Sequence, residues 1–318
     1  MNGTLASRGV ARCPPVRVSR DNCGCGTFVW SDAPRISQLA CSVGLALFLS
    51  APGSSAYENV RVEDVTSDSL RAGLEAANER KWEAAERFFK IYLQETPEEL
   101  SASGWSNLGN VELQLGKVGL AVEAYDKAVE LSDSAAVPLL NRGLAYEELG
   151  VRAEKAGKHG EAMSLYRTGR DSLLLATMKD PDEFAAWYDL GLIDWRLEEF
   201  DEAANALTKA ADLAAIPGYR VRAAASLYQI GDVQRARVQL RGVTRKNPNY
   251  GEAHAALAAC YYSEGSVELA EDELRRATEL DPAWGMGLEE LDKNARWPPR
   301  LREAYARMIS LGSGTGGE

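Results

Sequence analysis

Apolar residues along this chain return at three- and four-residue spacing, in paired segments that recur at a fixed interval. The stretch WSNLGNVELQLGKVGLAVEAYDKAVEL begins at Trp105, and WYDLGLIDWRLEEFDEAANALTKAADL begins at Trp187. The spacing predicts two amphipathic helices in each, joined by a short polar turn. Trp, Leu and Gly fall at the same offsets in both, so one unit is being repeated. A small residue fills the eighth position of every unit: Gly73, Gly109, Gly143, Gly191, Ala224 and Ala258. Another fills the twentieth: Ala85, Ala121, Ala162, Ala203, Ala236 and Ala270. These slots let the two helices touch closely. Position twenty-four is large (Phe89, Tyr125, Tyr166, Leu207, Leu240, Leu274) and fills the remaining space. Pro97, Pro181, Pro248 and Pro282 end second helices, because proline cannot continue the amide ladder.

This 34-residue pattern resembles that of the tetratricopeptide repeat (TPR) proteins, and the resemblance spans residues 66–284. It implies an all-α fold, a right-handed α-solenoid of about six helix-turn-helix repeats with a C-terminal capping helix. The expected units are 66–99, 102–135, 136–183, 184–217, 217–250 and 251–284. A single hairpin cannot bury both of its apolar sides, so neighbours must stack. The third unit is elongated to 48 residues. Seven extra residues in each helix make close to two turns and keep the buried stripe of Ala162, Tyr166, Gly169, Leu173 and Ala176 in line. The pair should project by about 10 Å at 1.5 Å per residue, as a tolerated insertion, a docking knob or a rim on a binding groove.

Residues 285–311 are expected to cap the array. Pro298 and Pro299 open a helix that runs to Leu311, and Leu301, Tyr305 and Met308 should cover the last repeat. Residues 57–65 form a lead-in and 312–318 a flexible tail. The first 56 residues have another character. The apolar run from Ile36 to Leu49 is short for a membrane span, which needs roughly 20 residues, but fits a signal core. APGSSA follows it, placing cleavage after Ala56 and the mature start at Tyr57. The segment ahead holds Arg8, Arg12, Arg17, Arg20 and Arg35 against Asp21 and Asp32, the composition of an organelle transit peptide. In series the two resemble the two-part targeting peptide of chloroplast thylakoid-lumen proteins. No Arg-Arg pair precedes the core, since Arg35 stands alone between Pro34 and Ile36, favouring a Sec-type route. An endoplasmic-reticulum or periplasmic signal, or a retained anchor, are the alternatives.

Losing this leader, which is net +3, takes the formal charge from −11 to −14. That acidity argues against nucleic acid and anionic lipid surfaces, while peripheral association with a membrane complex stays open. Cys13, Cys23, Cys25 and Cys41 leave with the leader, and lone Cys260 can form neither an intramolecular disulfide nor a cysteine zinc site. Of the two histidines, His159 falls in a predicted turn and His254 in the packing slot that Trp105 and Trp187 fill. No phosphate loop, HExxH or EF-hand spacing occurs, and Glu147-Glu148 and Glu198-Glu199 read as solvated helix surface. No catalytic, cofactor or metal residue is therefore expected, and the chain reads as no enzyme.

Binding is the better prospect. In TPR proteins the first helix of each unit lines the concave face, with positions two, five, nine, twelve and thirteen pointing into it. The clamp for acidic Hsp70/Hsp90 tails would find its Asn slots matched at Asn110 and Asn141, but its basic slots hold Ser106, Ala185 and Asp189. Read one unit earlier, Leu70 and Leu74 stand in the Lys and Asn slots. Such a tail is not the expected ligand. The groove instead offers Trp195, Tyr228 and Tyr262 at position twelve, with Leu140, Leu144, Tyr188, Val221 and Leu192 beside them. These side chains either pack against the neighbouring helix or form an aromatic ladder. The ladder would suit a protein or peptide segment with apolar anchors. The leader and the repeats together resemble chloroplast-lumen TPR proteins, which implies an interaction scaffold linked to photosynthetic-complex assembly or maintenance.

Overall fold

The computed structural model describes residues 67–132, 135–286 and 297–312; the leader, the lead-in and nearly all of the tail lie outside the described residues. Within them the chain is helical, with thirteen α-helices and no strand. Twelve form six successive hairpins. These are α1 (Asp68–Asn78) with α2 (Trp82–Glu95), α3 (Ala102–Gln114) with α4 (Val118–Leu131), α5 (Ala136–Lys155) with α6 (His159–Lys179), α7 (Phe184–Arg196) with α8 (Phe200–Leu213), α9 (Pro217–Gln229) with α10 (Val233–Lys246), and α11 (Gly251–Ser263) with α12 (Val267–Leu280). The thirteenth, α13, is Pro299–Gly312. Each second helix packs against the next first helix, so the hairpins stack in chain order.

The small-to-large matching seen in the sequence holds the hairpins closed. A Cβ placed on Gly109 would lie 2.7 Å from the Tyr125 ring, and one on Gly73 would lie equally close to Phe89. Tyr125 and Phe89 are fully buried. Across these two hairpins only glycine leaves room for the rings.

The third hairpin is longer, as its spacing predicts: α5 has 20 residues and α6 has 21, against 13 and 14 in the hairpins on either side. Its pairing corrects the slot assignment made from sequence. Gly143 faces Leu173, and Tyr166 faces Gly150. The pair level with the neighbouring repeats is thus Gly143 with Leu173, next to Gly169, whereas Ala162 and Tyr166 belong to the added heptad. A heptad nearly completes two turns, so the motif is written twice along one face.

Arginines clamp this hairpin to both neighbours. Arg152 donates to the Gly116 carbonyl at 3.1 Å, and Arg142 reaches Asp126 at 3.2 Å. On the other side Arg170 pairs with Asp194 at 2.6 Å and Arg196 with Glu147 at 2.7 Å, with Arg196 also over the Tyr166 ring. Glu147, read as solvated from sequence, is therefore buried (6% exposed) and structural. The apolar faces bring α5 and α7 together, and Arg196 at the end of α7 then closes over Glu147.

Helix α13 buries Leu301, Tyr305 and Met308 as its spacing predicts. Its position is less expected, since it packs against the first helices α11 and α9. Trp284 and Trp297 fix it there. Their rings stack at 5.8 Å, Tyr305 meets Trp297 edge-on at 5.2 Å, and Tyr305 Oη donates to the Trp284 carbonyl at 2.8 Å. Among the described residues no helix is long and apolar enough to cross a membrane.

Candidate functional site

The first helices α3, α5, α7, α9 and α11 form a row in which side chains about one repeat apart meet. Asn110 and Asn141, 31 residues apart, sit side by side: Asn141 Nδ2 donates to Asn110 Oδ1 at 3.1 Å, and Tyr125 Oη donates to the same oxygen at 2.7 Å. Both amides are thereby engaged within the fold. Nearby Ser106 and Asn107 are buried, and neither amide atom of Asn107 has a hydrogen-bond partner among the described residues. Ala185 and Asp189 are buried as well. Leu140 is buried and Leu144 half-buried, both in the core of the third and fourth hairpins.

The row changes character from α7 onward. Tyr188 stacks on Tyr219 with centroids 3.9 Å apart and planes 15° from parallel, and Phe184 tilts against the same Tyr219 ring. Leu192 lies buried beneath them. The Trp195 Nε1–H donates to Ser226 Oγ of α9, and the Arg222 guanidinium lies 5.7 Å from its ring centroid. Arg222 also approaches Glu252 of α11 at 3.9 Å. Tyr188, Trp195 and Tyr219 are half-buried, each with one face packed and some surface left open. Tyr262 is half-buried against the core of the last two hairpins, which also takes in Tyr228 and Trp195.

Tyr228 differs from the others. It is only 3% exposed, and the Arg300 guanidinium of α13 lies 5.8 Å from its ring centroid. Of the side chains singled out from the sequence, the fold thus gathers Tyr188, Leu192 and Trp195 in one place and Asn110 with Asn141 in another. Tyr228 lies under the C-terminal helix. Sequence reasoning did not single out Tyr219, Arg222 or Glu252. A signal for Tyr219 exists, since it stands 31 residues after Tyr188, the same offset that joins Asn110 to Asn141 and Trp195 to Ser226.

Among the described residues no three His, Cys, Asp or Glu side chains gather in a way that could hold a metal ion. His254 is buried and fully engaged, with Nε2 donating to the Pro248 carbonyl at 2.9 Å and Nδ1 facing Glu273. Burial pushes the Cys260 thiol well above its usual range, which leaves it an inert core residue. Asp194, 1% exposed, is pushed by burial up to about 6 against the pull of Arg170. Both members of that pair join hairpins and do not face the row. The face offers partly open aromatic area, a means of contacting a polypeptide segment.

Comparison with known proteins agrees with this architecture. Residues 109–150 match a family model described as TPR repeat, and residues 148–219 and 227–285 match two described as tetratricopeptide repeat. Among solved structures the chain is similar to YrrB, described as a TPR protein with an unusual peptide-binding site, with 24% identity and a TM-score of 0.51 over 61% of this chain and 92% of that one. It is also similar to TTC0263, a thermophilic TPR protein of Thermus thermophilus, with 22% identity and a TM-score of 0.44 over 61% of this chain and 98% of that one. No curated protein matches it in sequence. The repeat matches together span more than half of the residues, and the chain belongs to the tetratricopeptide-repeat proteins.

Proposed function

We propose that this protein is a non-enzymatic interaction scaffold that holds a partner segment with apolar anchors on the face of its first helices. The observation that carries this reading is the Tyr188–Tyr219 stack beside Trp195. Three large aromatic side chains are fixed there by packing and hydrogen bonds, yet remain partly open. Rigid aromatic side chains of this kind supply contact area at little entropic cost. YrrB, which shares the fold, is described as having a peptide-binding site. From the two-part leader we place the scaffold in the thylakoid lumen, where it serves assembly or maintenance of a photosynthetic complex. A secretory or periplasmic adaptor is the second reading.

The test is affinity capture from isolated lumen with the wild-type chain and with Tyr188→Ala combined with Trp195→Ala. The variant should keep its helical circular-dichroism signal and lose the co-captured protein at least tenfold, since interface aromatics commonly contribute about 2 kcal/mol or more each. Unchanged capture by the folded variant would refute the site.

A further inference from the structure

We propose that α9 and α11 form a seat for an amphipathic helix, which α13 fills in cis and which a helix of a partner takes over by exchange. This rests on the reading that the first-helix face binds a partner, and it adds the class of segment and its competitor. The position of α13 is the first ground. A helix that only shields the end of a stack covers the last helix of the array. Here α13 lies across the row on α11 and α9, while Val267, Leu269 and Leu280 of α12 stay exposed at 49%, 49% and 42%.

The manner of contact is the second ground. Leu301, Tyr305 and Met308, at i, i+4 and i+7, are 0%, 1% and 5% exposed, whereas Glu303 and Arg307 face outward. That is the helix-in-groove mode of recognition. The third ground is that polar groups of the seat read the start of the helix. Gln229 Oε1 accepts the Arg300 backbone N–H at 2.8 Å, satisfying one of the amides that a helix N-terminus leaves free. The Trp297 Nε1–H donates to Glu252 Oε1 at 3.1 Å, and Arg300 covers Tyr228. A partner helix fitting this seat carries large apolar residues at i, i+4 and i+7, and a cation at its first turn.

The experiment adds a fluorescent peptide of residues 297–312 to the full chain. In the wild type the tethered helix has an effective concentration on the order of millimolar and keeps the peptide out. In Leu301→Ala combined with Tyr305→Ala the cis helix is weakened, and the peptide should bind at least about tenfold tighter. Equal binding to both chains, or to neither, with the repeats folded, overturns the proposal. Should the variant lose its repeats, hydrogen exchange on the wild type decides. Amides of α13 exchanging faster than those of α11 support exchange, and equal rates show that α13 opens only with the array. These outcomes are independent of the groove reading, because lumenal capture through Tyr188 and Trp195 can fail while the peptide still binds, or the reverse.

Discussion

Gly109 and Gly242 show how differently one residue type behaves on the two sides of a repeat. A Cβ on Gly109 would sit within 3 Å of three Tyr125 ring atoms, while one on Gly242, in the middle of α10, would meet nothing within 4 Å. Gly109→Leu should therefore cost roughly 1–3 kcal/mol through overpacking. Gly242→Ala should add about 1 kcal/mol, the helix-propensity difference. Urea midpoints of the two variants check this, and a neutral Gly109→Leu would mean that the hairpin register is wrong. The register of the first two hairpins was legible in the sequence, because a glycine facing a ring recurs there at one offset. Tyr219 was not legible by the same route. Its importance comes from the ring of Tyr188 on another repeat, a contact that position numbering within one repeat does not display.

At the scale of elements, the third hairpin is held through Arg170 and Arg196 on one side and Arg142 and Arg152 on the other. The Arg170–Asp194 pair has a pH signature. An aspartate in the unfolded chain titrates near 3.9, and burial lifts Asp194 to about 6 in the fold. Between these values the folded state binds more protons, so this residue's contribution to stability falls as pH rises from about 4 to about 6. Removing the cation leaves the buried carboxylate alone. Arg170→Met should cost about 3–5 kcal/mol at pH 8 and less at pH 5, where the carboxyl carries a proton. Denaturation at both pH values tests it, and equal losses would mean that Asp194 is not the group left uncompensated. The extra length of both helices could be read from residue counts. The doubling of the small–large motif onto Gly150 and Tyr166 needed the antiparallel pairing, because counting cannot tell at which end a heptad was added.

Across the whole molecule, an array of nearest-neighbour contacts leaves its two ends to be closed by something else. The C-terminal end folds back over the row of first helices, and this changes what the aromatic ladder can do. Trp195 stays available, whereas Tyr228 lies under Arg300. At the other end, the leader reading predicts that N-terminal sequencing of the native protein finds Tyr57. Residues before Ala51 would instead show a retained anchor. The lumenal placement stands or falls with localisation of a full-length fusion.

The sequence by itself determined the repeat, its six-fold recurrence and the longer third hairpin. Those rest on local helix periodicity and on small residues facing large ones within a single unit. Only the tertiary structure decided which aromatics meet across repeats, that Asn110 is satisfied by Tyr125 and Asn141, that Glu147 is buried against Arg196, and that α13 lies on α9 and α11. All but the Tyr125–Asn110 bond join residues from different units. Their pairing depends on how far one helix slides past the next, and the stacked surfaces set that slide together.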